Sequence, residues 1–145
     1  RPVPPDATLG GYLLKDADRG IVKIVEDKQP GAKEVETQYE TIAVSGRLAL
    51  LKVKLITGRT HQIRAHLAYL GKPVLGDIKY GNRKMNERTG TKTQALCAVR
   101  ITFREIPEEN TLHYLSGKVI KLKDPQIVKQ FDALDKTKPD PAKGE

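Results

Sequence analysis

Hydrophobic and polar residues alternate along much of the chain, which is the pattern of β-strands with one buried face. The clearest example is the alternation of Val35, Thr37 and Tyr39 with glutamate and glutamine neighbours. The segments that fit this pattern, or that are short apolar runs bounded by turn residues, are 12–14, 21–25, 35–41, 48–56, 95–103 and 119–122. Residues 1–11 lack a periodic pattern, so we expect an extended lead-in there.

A helix is predicted directly after the fourth of these segments and a glycine turn. Thr60 is the predicted N-cap, because its hydroxyl can accept a hydrogen bond from an unpaired amide of the first helical turn. Gly71 stands where a left-handed residue ends many helices. Between them, three apolar residues recur at the i, i+4 and i+7 spacing of a buried helical face. They are Ile63, Leu67 and Leu70.

A second helix is predicted near the end of the chain. Asp124-Pro125 is a typical helix opening, because proline at the first helical position gives up only an amide that would be unpaired anyway. The apolar stripe behind it consists of Ile127, Val128, Phe131 and Leu134. The polar, lysine-rich residues 82–93 are expected to form a connection, and residues 136–145 a loose tail.

Strands outnumber helices in this pattern, and most connections are too short for the crossovers that parallel strands need. We therefore predict an α+β fold with a mixed, mainly antiparallel sheet and a few helices. A length of 145 residues suits one domain. We expect that domain to span residues 1–135, with the tail behind it.

The net charge of +8 is concentrated in one part of the chain. Residues 47–104 contain thirteen lysines and arginines but only two acids, Asp77 and Glu87. An excess of this size favours a polyanionic partner, whose attraction would weaken with added salt. The alternative is a basic surface that is merely solvated.

Other side chains in the sequence do not favour metal or thiol chemistry. His61 and His66 are five residues apart, which on a helix separates their directions by about 140° and prevents them from sharing an ion. Cys97 lies on the apolar side of its predicted strand and is expected to be a small core residue. A single cysteine also fits a reducing compartment, so we expect a cytoplasmic location. Asp77 is expected to stabilise a turn with its side chain.

A cluster of hydrogen-bond donors remains at the start of the first predicted helix. Its members are Arg59, Thr60, His61, Gln62 and Arg64. Donors in this arrangement suit a phosphate, a carboxylate or the edge of a base. The alternative interpretation is structural, with each polar group holding the local loop in place.

The stretch that contains this cluster resembles a known family. Thr57–Leu67 reads TGRTHQIRAHL, and Gly71-Lys72-Pro73, Gly76-Asp77 and Tyr80-Gly81 follow it in order. This run is similar to the C-terminal signature of the RluA-type pseudouridine synthases, which reads approximately G-R-T-H-Q-I-R-x-H-L, then G-H-P, then G-D-x-x-Y-G. The family's G-A-K…T-x-Y strand has counterparts upstream. These are Gly31-Ala32-Lys33, Thr37 and Tyr39.

The resemblance implies the C-terminal part of the pseudouridine synthase catalytic fold. It also implies isomerisation of uridine in RNA without a cofactor or a metal, with ribosomal large-subunit RNA as the expected substrate. The target nucleotide would be flipped out of its stack into the pocket. In the family the second arginine of the run, here Arg64, pairs with the catalytic aspartate. Arg59, Thr60, His61 and Gln62 would shape the pocket and contact the RNA.

Two further runs of the family are absent from these residues. They are R-L-D-x-x-T-S-G, which holds the catalytic aspartate, and K-x-Y-x-A, which holds the active-site tyrosine. Because the chain also begins at Arg1 and not at a methionine, we expect the catalytic half to lie upstream of these residues. We further expect the isolated chain to be inactive, since Arg64 would have no carboxylate to pair with.

A sheet that lacks its upstream strands would expose an edge, so self-association is a further hypothesis. Two other functions are alternatives to the enzyme. One is a non-catalytic RNA-binding module that keeps the basic cluster. The other is a small structural protein in which the cluster only holds a loop.

Overall fold

The computed structural model describes residues 4–135, and its largest feature is a four-stranded antiparallel sheet. The strands are β1 (Asp6–Asp16), β2 (Ile21–Val25), β3 (Lys33–Ser45) and β4 (Leu48–Leu55), in the spatial order β2-β1-β3-β4. Tight turns join β1 to β2 and β3 to β4. The second turn needs Gly46, whose φ of 53° lies in the left-handed region that favours glycine.

The strand pattern of the sequence is confirmed for β2, β3 and β4. In β3 the alternating residues Val35, Thr37 and Tyr39 are all buried, as a one-sided strand requires. The predicted lead-in is wrong for residues 6–11, which belong to β1 and pair in register with residues 35–40 of β3, and its residues 1–3 lie outside the described residues. This segment has little pattern of its own, and its backbone is ordered by hydrogen bonds to a distant strand.

Helix α1 (Gln62–Tyr69) packs on the sheet against β2 and β3. The buried core between them is formed by Leu13, Val22, Val35 and Ala65. Gly71 adopts the predicted left-handed conformation, with a φ of 68°. The predicted apolar stripe is only partly correct.

Of that stripe, Leu67 is buried, but Leu70 is 36% exposed. Polar residues share the buried side of α1 instead: Gln62, Arg64 and His66. The helix therefore directs a largely polar surface toward the sheet and the loop behind it.

The residues after α1 form smaller elements. These are α2 (Arg83–Thr89), β5 (Arg100–Thr102), a 3₁₀ turn (His113–Leu115), β6 (Val119–Lys121) and α3 (Gln126–Asp135). Strands β5 and β6 pair antiparallel in a separate two-stranded sheet. The predicted helix after Pro125 is confirmed as α3, and the predicted tail at 136–145 lies outside the described residues.

Three predictions fail in this part. Residues 82–93 contain α2, which Asn82 caps by accepting a hydrogen bond from the Met85 amide and which Gly90 ends at a φ of 69°. The strand predicted over 95–103 is limited to Arg100–Thr102, which pairs with β6, whereas the Ala95 amide donates to the Leu75 carbonyl at 2.8 Å in irregular chain. Cys97, expected in the core of that strand, is half-buried in irregular chain.

The α+β class and the antiparallel character of the sheet are confirmed. All strand pairs within residues 4–135 are antiparallel. No helix in this described part of the chain has the length and apolar character needed to cross a membrane.

Candidate functional site

The donor cluster lies where β4 leads into α1, in the turn and the first residues of the helix, which we call the corner (residues 57–64). Its shape is set by Gln62, whose side chain is 2% exposed. The Gln62 Oε1 atom accepts hydrogen bonds from the Thr57 hydroxyl at 2.9 Å and the Arg59 amide at 3.0 Å. Its Nε2 donates to the Glu36 carbonyl at 2.9 Å and the Thr37 hydroxyl at 3.0 Å.

All the hydrogen-bonding capacity of the Gln62 amide is therefore used inside the protein. We expected this residue to contact RNA, but its position differs from that expectation. Gln62 fastens the corner to β3 and is not accessible to a ligand. This is the structural role that the sequence left open as an alternative, realised at one residue of the cluster.

The N-cap of α1 is His61 and not the predicted Thr60. His61 has a φ of 56° and a ψ of 15°, a left-handed conformation that is uncommon for residues other than glycine. Its side chain makes no capping bond to the helix. The His61 Nδ1 atom instead lies 3.0 Å from the hydroxyl of Tyr80. The Thr60 prediction failed because the left-handed residue moves the helix start one position along the chain.

Arg64 is buried and forms a bidentate ion pair with Asp77. Its Nε donates to Asp77 Oδ2 at 2.6 Å, and its Nη2 donates to Asp77 Oδ1 at 2.9 Å. The Arg64 side chain is 10% exposed and that of Asp77 is fully covered. The expectation that this chain holds no carboxylate for Arg64 is therefore wrong. The sequence pattern did not reveal this ion pair, because Arg64 lies in a helix and Asp77 in a separate loop, and only folding brings them together.

Asp77 also performs the turn role predicted for it. Its Oδ1 accepts hydrogen bonds from the amides of Lys79 at 2.9 Å and Tyr80 at 3.0 Å. Burial of the carboxyl opposes its ionisation, but the hydrogen bonds from Arg64 and from these two amides outweigh burial and hold the pKa of Asp77 at about 2. The hydrogen bond to Asp77 correspondingly raises the pKa of Arg64.

The loop that carries Asp77, which we call the Asp77 loop (residues 76–81), is held by close backbone contacts. Gly76 has a φ of 75°, and its amide donates to the Asn86 side chain of α2 at 2.8 Å. The same Asn86 donates from Nδ2 to the Asp77 carbonyl at 3.1 Å. A Cβ at Gly81 would lie 1.9 Å from the Asp77 carbonyl oxygen. The unpredicted helix α2 therefore clamps the loop that orients Arg64.

Tyr80 is the functional candidate that the sequence analysis missed. The Arg64 guanidinium carbon lies 4.9 Å from the centre of its ring, within the range of a cation–π contact. Its hydroxyl accepts a hydrogen bond from the Val22 amide at 2.8 Å. A signal was present, since Tyr80 is part of the same G-D-x-x-Y-G run as Asp77.

The remaining predicted residues separate into two groups. Arg59 and Thr60 are exposed on the outer side of the corner, where a ligand can reach them. His66 is 1% exposed, and its Nδ1 lies 2.7 Å from the Thr37 hydroxyl beneath the helix. Burial lowers the pKa of His66. His61 and His66 therefore point to different environments, and no group of residues within 4–135 is arranged to hold a metal ion.

Comparison with known proteins gives matches to RNA pseudouridine synthases. Residues 6–69 match the family described as RNA pseudouridylate synthase. The ribosomal large subunit pseudouridine synthase C of Vibrio cholerae is 33% identical over 103 residues, which are 69% of this chain and 31% of that protein. An uncharacterized RNA pseudouridine synthase of Mycoplasma genitalium is 35% identical over 126 residues, which are 85% of this chain and 39% of that protein.

A solved structure, human RNA pseudouridylate synthase domain containing 1, superimposes with a TM-score of 0.51 at 24% identity. The superposition covers 61% of this chain and 39% of that one, and it supports the fold. This chain thus spans less than half the length of each of these relatives.

Proposed function

We propose that this chain, which belongs to the RNA pseudouridylate synthase family, supplies the arginine side of the active site of an enzyme that isomerises uridine in RNA. Large-subunit ribosomal RNA is the expected substrate. The observation that carries the proposal is the state of Arg64. Asp77 accepts hydrogen bonds from the Nε and Nη2 atoms of Arg64. The Nη1 atom of Arg64 makes no hydrogen bond to any residue in the described part of the chain.

A guanidinium can pair with carboxylates on more than one side, because its five N–H donors lie in a plane. The pair with Asp77 uses one side and fixes the plane. The Nη1 side is left for a second carboxylate, and the resemblance implies the family's catalytic aspartate there. An arginine held in this way would orient that aspartate and keep it ionised, as an attacking carboxylate must be.

Asp77 is not a substitute for that aspartate. Its side chain is fully covered, and its two oxygens accept four hydrogen bonds from Arg64 and from the amides of Lys79 and Tyr80. It has no free face with which to reach a ribose or a base. We therefore still expect the isolated chain to show no turnover, because the family's catalytic aspartate run is absent from these residues and the enclosed Asp77 cannot replace it.

The corner also offers groups for RNA. Arg59 and Thr60 are exposed there, and residues 47–104 carry a strong excess of positive charge. Basic groups in such numbers attract the phosphate backbone regardless of sequence. These features support RNA as the partner.

A chimera tests the proposed function directly. Residues 6–104 of this chain replace the matching residues of the Vibrio cholerae synthase C, and turnover is followed as tritium released from C5 of labelled uridine in ribosomal RNA. That release occurs because the isomerisation breaks the N-glycosidic bond and joins C5 to the ribose. We expect the chimera to be active. We expect Arg64→Lys in the chimera to lower the rate by about 100-fold or more, since lysine cannot form the bidentate pair.

Two results would count against the proposal. A folded chimera that binds RNA without turnover would favour the non-catalytic RNA-binding module. A chimera as active with Arg64→Lys as without it would remove Arg64 from the chemistry. Circular dichroism of both proteins shows whether they are folded and so separates these results from simple misfolding.

Two smaller expectations belong to the same proposal. The sheet has two edge strands, β2 and β4. Leu55 of β4 is 48% exposed, and we propose that the β4 edge allows self-association. Sedimentation velocity across a range of concentrations checks it, and a strictly monomeric result would contradict it. We also retain the cytoplasm as the proposed location, which fractionation of the source cells can test.

A further inference from the structure

The hydroxyl of Tyr80 joins two parts of the protein. It accepts a hydrogen bond from the Val22 amide of β2 at 2.8 Å, and it lies 3.0 Å from Nδ1 of His61. The two rings also meet edge to face, with their centres 5.6 Å apart and their planes at 73°. Within residues 4–135, the hydroxyl makes no other hydrogen bond.

These two contacts favour one direction for the hydroxyl proton. The Val22 amide can only donate, so it uses a lone pair of the Tyr80 oxygen. A part-buried tyrosine hydroxyl usually finds an acceptor for its own proton. His61 Nδ1 is the acceptor available to it among the described residues. An imidazole that accepts at Nδ1 is neutral and carries its proton on Nε2.

The surroundings of His61 also favour the neutral ring. Burial lowers the pKa of His61, as do the positive charges of Arg64 and Lys79, while the charge of Asp77 acts in the opposite sense. The Nε2 atom makes no hydrogen bond to any residue in the described chain and is not sealed off from solvent. The left-handed backbone at His61 turns its side chain to Tyr80 and away from helix capping.

We propose that Tyr80 is a positioning residue that holds His61 as the tautomer protonated on Nε2, so that this N–H donates to an acceptor oxygen of bound RNA. The identity of the ligand rests on the proposed function, but the tautomer does not. A neutral N–H donor beside Arg64 adds directional recognition of a carbonyl or phosphate oxygen. It does so without the repulsion that a second cation would bring.

The first experiment measures the tautomer in the free chain. Long-range proton–nitrogen correlation spectra of the ¹⁵N-labelled protein near pH 7 distinguish protonation at Nδ1 from protonation at Nε2. We expect His61 to show the Nε2 pattern. In Tyr80→Phe, which keeps the ring but removes the hydroxyl, we expect a mixture of the two tautomers.

The matched control is Tyr39→Phe. It removes a hydroxyl that donates to the Pro4 carbonyl at 2.8 Å, away from His61, and should leave the His61 signals unchanged. A proton on Nδ1 in the unmodified chain would overturn the proposal even if Tyr80→Phe failed to fold. An unchanged tautomer in folded Tyr80→Phe would overturn the role of Tyr80.

The second experiment measures binding of a uridine-containing hairpin of large-subunit ribosomal RNA by fluorescence anisotropy. His61→Gly removes the donor and accepts a φ of 56° without strain, so the comparison isolates the side chain. We expect it to weaken binding about five- to ten-fold, which is the value of one hydrogen bond. His61→Asn tolerates the same backbone and keeps a neutral N–H donor, so we expect it to recover part of the loss.

A hairpin whose loop uridines are replaced by abasic sites identifies the acceptor. A penalty for His61→Gly that persists on this RNA assigns the acceptor to a phosphate, and a penalty that disappears assigns it to a uracil carbonyl. Equal binding by His61→Gly and the unmodified chain would overturn the donor role. No RNA binding by the unmodified chain would overturn RNA as the ligand, while the tautomer spectra would still decide the role of Tyr80.

Discussion

Replacing Asp77 by asparagine tests the physical basis of the site, because the substitution preserves shape and removes charge. Asparagine can still accept hydrogen bonds from the Lys79 and Tyr80 amides through its oxygen. Its amide nitrogen would then face the Nε donor of Arg64, where the structure has a carboxylate oxygen at 2.6 Å. The guanidinium would remain buried without its counter-charge.

Two independent routes give the size of the expected loss. A carboxyl whose pKa falls from its ordinary value of 3.8 to about 2 stabilises the folded state by about 2.5 kcal/mol at neutral pH. Removal of one partner of a buried ion pair usually costs about 3–5 kcal/mol. We therefore expect Asp77→Asn to lower the free energy of unfolding by about 3 kcal/mol, a large part of the 5–15 kcal/mol typical of a domain.

The measurement is urea unfolding followed by circular dichroism at pH 7 and at lower pH. Because folding lowers the pKa of Asp77, its contribution is present above about pH 4 and is lost as the pH falls toward 2. The difference between the unmodified chain and Asp77→Asn should shrink over that range. The control is Glu40→Gln, whose exposed ion pair with Lys52 should contribute less than about 1 kcal/mol.

Equal unfolding midpoints for Asp77→Asn and the unmodified chain at pH 7 would show that the Asp77 charge does not stabilise the fold. A large loss that does not change with pH would lead to the same conclusion, since the loss would then come from altered packing and not from the charge.

Three further predictions concern the surroundings of the pair. Gly81→Ala should destabilise the protein by about 1–3 kcal/mol in urea unfolding, because the added methyl group would clash with the Asp77 carbonyl. The control Gly58→Ala, which has open space around it, should destabilise the protein less. Equal losses for the two variants would contradict this prediction. Gln62→Ala should lower the free energy of unfolding by about 2–3 kcal/mol in the same assay, because its buried hydrogen-bond partners would be left unpaired. A change below about 0.5 kcal/mol would show that the corner does not depend on Gln62. In a proton NMR titration, the midpoint for His66 should lie below the ordinary histidine value of 6.5, because burial lowers its pKa. A midpoint at or above 6.5 would contradict its buried position.

The hydrophobic pattern predicted the class of this fold and most of the first sheet. That was feasible because Val35, Thr37 and Tyr39 alternate along β3 with period two, and a one-sided strand needs no other information to be identified. The pattern could not predict the start of β1. Residues 6–11 gain their structure from pairing with β3, and such pairing is a property of two segments and not of one.

The order of the residues is enough to show which side chains gather at the corner, because residues 59–64 are consecutive and follow a strand and a glycine. The contacts of each side chain, in contrast, depend on how the chain folds. In the folded chain Gln62 is buried and holds the corner to β3, and His61 has a left-handed backbone conformation. Folding also brings Asp77 and Tyr80, from a loop clamped by α2, against Arg64 and His61. The physical reason is that local order depends on neighbours in sequence, whereas the charge and protonation of a side chain depend on the groups that folding places around it.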